Sequence, residues 1–252
     1  MKRQICHLIA ALSLLAPLSA LAAEAGPAVD KAPIDIQDTE SIQRGAQIFT
    51  NYCLSCHSAN AMRYNRLTDI GLSEKQIKEN LMFASDKIGD TMHVAMTTSD
   101  AKLWLANNPP DLSVEARARG ADWLYTYLRS FYRDDTRPTG WNNVMFDKVA
   151  MPHVLAAWQG DQVLQETKGP DGVVAQKLVL VKPGTMTKLE NGRARTAEFD
   201  QRMADLTNYL VFMGEPAQVK RQEIGYGVLM FLCLLLLPMA YFLKKEFWRD
   251  IH

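Results

Sequence analysis

Five consecutive residues, Cys53-Leu54-Ser55-Cys56-His57, constrain this chain more than any other stretch. The spacing C-x-x-C-H is the pattern for covalent attachment of c-type haem: two thiols three positions apart each add to a porphyrin vinyl group, and the adjacent imidazole is placed to coordinate the iron. A fold that carries it must wrap around a flat, largely apolar macrocycle. Two other uses of a C-x-x-C pair fit the surroundings less well. A thioredoxin-like redox pair opens a helix after a buried strand, whereas this pair follows an amphipathic stretch. Tetrahedral zinc needs a second pair of ligands, and only His93 and His153 remain between the motif and residue 223.

The two ends bear on location. Lys2 and Arg3, an apolar run through Leu15 and Ala20-Leu21-Ala22 read as a secretory signal over 1–22, cleaved before Ala23. From Ile224 to Leu243 there are 20 residues without a charge, and at ~1.5 Å per residue these span the ~30 Å core of a bilayer as one helix. The chain is therefore expected to place an exported domain (23–223) outside the cytoplasm, a transmembrane helix at 224–243 and a cytoplasmic tail at 244–252. Lys244, Lys245 and Arg249 agree with the positive-inside rule, weakly, because Lys220 and Arg221 stand on the other flank. With 28 basic and 28 acidic residues and no basic block longer than Lys244-Lys245, the chain lacks the electrostatic footprint of a nucleic-acid binder.

Within the exported part, an arm at 24–37 precedes a helix starting at Asp38 or Thr39, whose stripe is Ile42, Ala46, Phe49 and Tyr52. Gly45 on that helix predicts close approach of another backbone. Ser73 and Gln76 form a capping-box pattern for a short helix to about Phe83, and a long loop follows through Asn107-Asn108-Pro109-Pro110. Ser113 is expected to cap a helical stretch, broken at Gly120, that carries Trp123, Leu124, Tyr127, Leu128 and Phe131. Loop returns over 134–160, a small hairpin pairs Gln162–Thr167 with Val173–Val181, and a last soluble helix runs from Thr196 to Met213. There is no G-x-G-x-x-G after a strand, no phosphate loop and no G-x-S-x-G.

Haem iron needs a sixth ligand, and nine methionines lie between His57 and the apolar run. Most should fill core gaps. Met151 is best placed, because Pro152 holds it extended in a loop ahead of the final soluble helix. Met145 is the next choice, and His93 and His153 are the imidazole alternatives.

Gly45 and Phe49 before the motif, with Leu206 and Tyr209 on the last soluble helix, resemble the crossed terminal helices of class I cytochromes c. The strings Pro109-Pro110-Asp111-Leu112-Ser113, Ala118-Arg119, Met151-Pro152 and Met213-Gly214-Glu215-Pro216-Ala217, with the C-terminal span, are similar to the cytochrome c1 family, the haem subunits of quinol–cytochrome c reductase (bc1) complexes. The resemblance implies a mainly α fold: a class I cytochrome c-like haem domain with loop and small hairpin insertions, plus one C-terminal transmembrane helix. It implies one haem c on Cys53 and Cys56, His57 and Met151 as axial ligands, and Arg119 paired with a haem propionate. Electrons would pass singly from a Rieske iron-sulfur protein to a soluble cytochrome c, with no substrate bond made or broken. The partners implied are those two and cytochrome b, in a dimeric complex of a bacterial inner (cytoplasmic) membrane with the haem domain on the periplasmic side. Met151-Pro152-His153 lacks the second proline of the Met-x-Pro-Pro string frequent in the family, and no long acidic insertion is present. A stand-alone membrane-tethered cytochrome serving an oxidase, and a haem peroxidase with an open iron position, are the other readings.

Overall fold

The computed structural model describes residues 28–94, 96–168, 174–247 and 249. The expected signal at 1–22 and the hairpin turn at 169–172 lie outside them. Helix α1, Thr39–Ile48, starts as its sequence requires: the Asp38 carboxylate accepts from the Ser41 amide, and Ile42, Ala46 and Ile48 are buried. A π-helical turn, Phe49–Cys53, then leads into the C-x-x-C-H segment. Strand β1 (Ala59–Arg63) pairs antiparallel with β2 (Thr91–Met92), enclosing a 3-10 segment, Tyr64–Ile70, and helix α2, Glu74–Asn80. Both halves of the Ser73/Gln76 capping box form, but α2 stops at Asn80, three residues before the expected end.

The long loop expected after it contains helix α3, Thr98–Leu105, opened by a second capping box between Thr97 and Asp100. Helices α4 (Glu115–Arg119) and α5 (Ala121–Arg129) meet at Gly120, the expected break. Ser113 does not cap α4; its hydroxyl accepts from the Ala61 amide, 2.9 Å away. Phe131 lies beyond α5 on β3 (Phe131–Arg133), which pairs with β4 (Trp141–Asn143). The stretch expected as loop over 134–160 thus holds β4 and a single turn, α6, Ala156–Gln159. The expected hairpin is present and longer, β5 (Gly160–Lys168) against β6 (Val174–Pro183). At its base Gly160 has φ +87°, and a Cβ there would sit 2.1 Å from the Lys182 carbonyl oxygen, so only glycine closes it. A further short ribbon joins β7 (Lys188–Glu190) to β8 (Arg193–Arg195).

Helix α7, Ala197–Gly214, crosses α1 and sets the frame of the domain. The crossing is close because Gly45 has no side chain: a Cβ there would lie 2.0 Å from the Asp205 carbonyl oxygen and 2.6 Å from Tyr209 Cβ. Around the contact, the buried Asp205 carboxylate accepts from Ser41 Oγ at 2.8 Å and from Arg44 Nε and Nη2 at 2.8 and 3.0 Å. A charge taken out of water is tolerated there because each oxygen is bonded. Phe49 and Tyr209, both fully buried, pack with centroids 5.4 Å apart.

After Gly214 the chain turns at Glu215-Pro216 into helix α8, Gln218–Phe242, continued by a π-helical turn, Leu243–Phe247. Among the described residues this is the one helix long and apolar enough to cross a membrane, and none of it is buried. It begins ahead of the uncharged run, at Gln218. Its foot is tied to the domain by Glu215, which accepts from Arg221 Nε at 2.5 Å and lies 3.7 Å from Arg117 Nη1.

Candidate haem site

The motif closes as one helical turn. The Cys56 and His57 amides both donate to the Cys53 carbonyl, at 3.0 and 2.8 Å. Cys53 and Cys56 are half-buried and free. Burial pushes the Cys53 thiol up to about 12, with a smaller contribution from Cys56. A redox-active C-x-x-C needs the opposite, a stabilised thiolate. Among the described residues no group of three or more His, Cys, Asp or Glu is arranged to hold a metal ion, so the zinc alternative gains no ligands.

His57 is oriented by a segment far away in sequence. Its Nδ1 lies 2.8 Å from the Pro110 carbonyl oxygen. A carbonyl only accepts, so Nδ1 carries the proton and Nε2 presents its lone pair, which is the tautomer a metal ligand requires. Burial lowers the His57 pKa below its usual value, against the opposing pull of the Pro110 hydrogen bond, and favours the neutral ring. The Pro110 carbonyl is held in turn: the Leu112 amide donates to the Ser58 carbonyl at 2.8 Å, and the Asp111 carboxylate accepts from the Asn60 and Ser113 amides, each at 2.8 Å. Burial pushes the Asp111 carboxyl up, but the hydrogen bonds from Ser113 and Asn60 outweigh it and hold the group below the usual carboxylate range.

Met151 sits half-buried in the loop ahead of α6, where its sulfur accepts a hydrogen bond from Tyr127 Oη at 3.4 Å. Tyr127 stacks on Trp123 at 5.0 Å, and the Arg119 guanidinium lies over Trp123 at 4.6 Å. Arg119 also pairs with Glu115 at 2.9 Å, so its charge is partly engaged within α4. Met145 lines a different space, a cleft of about 530 Å³ walled by Arg129, Gln162, Leu178 and Asp200. His93 is exposed, with Nδ1 3.0 Å from the Thr91 carbonyl oxygen. His153 is buried against Phe131 and Trp141, and burial lowers its pKa to about 4. Met62, Met92, Met203 and Met213 are core side chains, and Met92 accepts from Tyr209 Oη at 3.3 Å.

This donor set fits haem c. It offers two free thiols on one turn, an imidazole with Nε2 unengaged, a thioether on a separate half-buried loop, and half-buried aromatic faces at Trp123, Tyr127 and Trp158. Three contacts of the site were missed in the sequence: the Pro110 carbonyl on His57, Tyr127 on Met151 and the stapling by Asp111. The Pro109–Ser113 string was visible, but what it touches was not.

Residues 30–251 match the family described as Cytochrome C1. The chain belongs to the cytochrome c1 family. The match covers nearly all of the described residues, and it carries haem binding and electron transport with it. Among relatives, the chain is 52% identical over 250 residues to a protein named ammonia monooxygenase gamma subunit from Nitrosomonas europaea, covering 99% of this chain and all of that one. It is 46% identical over 248 residues to the cytochrome c1 of Allochromatium vinosum, covering 97% and 98% of the two chains. It is 29% identical to the cytochrome c1 of Rhodospirillum rubrum over 237 residues, covering 85% and 83%. Family membership agrees with the mainly α fold and with α8 as a membrane anchor.

Proposed function

We propose that the chain is the haem c subunit of a bacterial quinol–cytochrome c reductase, taking single electrons from a Rieske iron-sulfur protein and passing them to a soluble c-type cytochrome. The observation that carries this is the His57 Nδ1 contact to Pro110, because a carbonyl acceptor at Nδ1 leaves the Nε2 lone pair free, as an iron ligand requires. Haem c bound at this site supplies a one-electron iron couple. Cys53 and Cys56 anchor it covalently, and His57 offers Nε2. Met151 is the preferred sixth ligand over Met145, which opens into the hairpin cleft. A thioether there favours the reduced state relative to a second imidazole, which suits an acceptor of a high-potential centre. Arg119 places a cation beside Trp123 and is the candidate partner of a propionate.

The topology that goes with this function is a signal at 1–22, a periplasmic haem domain at 23–223, a transmembrane helix at 224–243 and a cytoplasmic tail at 244–252. Cytochrome b and the Rieske protein are the membrane partners, in a dimeric assembly. Tethering keeps the haem at high effective concentration beside its donor.

The relative named as an ammonia monooxygenase subunit supports a second reading, a cytochrome c1-like chain that serves an ammonia-oxidising enzyme. Affinity purification of the tagged chain from native membranes separates the two. Recovery with a multi-span cytochrome b and an iron-sulfur protein is expected. Recovery with monooxygenase subunits and no cytochrome b overturns the proposal, and recovery of the chain alone favours a stand-alone tethered cytochrome. A spectrum in alkaline pyridine reports covalent haem directly, and a colourless polypeptide with both thiols open to alkylation removes the basis of every reading above.

A further inference from the structure

We infer that His153 is a positioning residue that holds Met151 ready as the axial ligand, through the stack of its ring on Phe131. The inference rests on the haem reading above. His153 is only 5% exposed. Its imidazole lies parallel to the Phe131 ring, with centroids 4.8 Å apart and planes 6° apart, and meets the Trp141 ring edge-on at 5.0 Å. Its carbonyl accepts from the Ala156 amide at 3.2 Å and so starts the turn into α6. Side chain and backbone of the residue are therefore both fixed.

Phe131 links this anchor to Met151 by a second route. The Tyr127 ring packs edge-on against Phe131 at 5.2 Å, and its hydroxyl donates to Met151 Sδ. Met151 and His153 are thus tied to one aromatic unit at the α5–β3 junction, with the restricted φ of Pro152 between them. A loop pinned at two points two residues apart keeps little freedom to carry its sulfur away. Without the ring at 153, one O–H···S contact and the partial packing of Met151 on the Phe131–Trp141–Val149 cluster remain to hold that sulfur. Gln159 closes the back of the site: its amide nitrogen donates to the Arg129 carbonyl at 2.8 Å, and its side chain lies against the His153 imidazole.

The test uses the full membrane-bound chain carrying haem, in four forms: Met151→Leu as reference, His153→Ala, His153→Leu and His153→Phe. Reduction potential and carbon monoxide binding to the reduced protein are measured beside the thermal midpoint. Met151→Leu should bind carbon monoxide and lose potential; if it does neither, the axial assignment fails, and the positioning role falls with it. Given that reference, His153→Ala should bind carbon monoxide roughly tenfold more tightly than the unaltered chain, since apparent affinity scales with the fraction of molecules whose iron is open. His153→Phe keeps the stack and should behave like the unaltered chain. Should His153→Ala not accumulate, His153→Leu, which fills space without a ring, carries the same expectation. A lowered thermal midpoint with potential and carbon monoxide exclusion intact shows a merely structural histidine and overturns the inference. So does a His153→Phe variant as open as His153→Ala or His153→Leu.

Discussion

The two walls of the proposed haem site are built by different means. The wall that carries His57 starts from one contiguous motif and is held mostly at the main chain: the turn from Cys53 to His57 and the Leu112 amide on the Ser58 carbonyl, with the Asp111 carboxylate accepting from the amides of Asn60 and Ser113. The wall that carries Met151 has no regular structure at the methionine, and side chains drawn from α5, β3 and β4 hold it. Backbone bonds are directional and survive most substitutions. Ring packing depends on each side chain present. The His57 wall should therefore tolerate change that the Met151 wall does not.

The largest effect should come from the thiols. Replacing Cys53 and Cys56 together by Ala leaves no porphyrin attached after denaturing separation, whatever state the other wall is in, and a haem-stained band at the full chain mass contradicts the assignment. Next comes the crossing beneath the His57 wall. Arg44→Ala leaves the buried Asp205 carboxylate without its cation, which should cost about 3 kcal/mol in denaturant unfolding. A loss well under about 1 kcal/mol would show that Ser41 and Gln201 satisfy it alone.

The next effect is one of acidity. The Asp111 pKa is depressed in the folded state, so the stability it adds is present above the unfolded value of about 3.9 and is lost as pH falls through the lower folded value. Acid below about pH 4 should lower the exchange protection, relative to the intrinsic rate, of the Asn60 and Ser113 amides before those of α7, and Asp111→Asn should remove that pH dependence. Smallest is Tyr127→Phe, which deletes the donor to Met151 Sδ and keeps the ring. One hydrogen bond is worth about 1 kcal/mol at most, or roughly 40 mV in a one-electron potential. A shift much larger than this would mean that Tyr127, rather than the pinned loop, holds the sulfur.

Much of the fold was legible because it obeys a period or a cap. Asp38 opens α1, the Ser73–Gln76 box opens α2, α7 follows its apolar stripe, and Gly45 announced the close crossing. Helix α3 was missed although Thr97 and Asp100 form a capping box. Its apolar Leu103 and Trp104 point outward, so no buried stripe marks it. Strands β3 and β4 were missed because three-residue strands show no alternation, and their pairing rests on partners eight to twelve residues apart. Ser113 looked like a cap and instead serves Ala61, across the domain.

At the site the same division holds. Local sequence determined the proposed attachment turn, because two thiols and an imidazole one helical turn apart need no distant partner to be adjacent. It also determined the apolar span, since length and the absence of charge suffice. Which imidazole nitrogen stays free, which methionine is held and what holds it were decided only in three dimensions. Each depends on a contact between segments 24 to 53 residues apart, and no periodicity or short-range preference specifies such a contact.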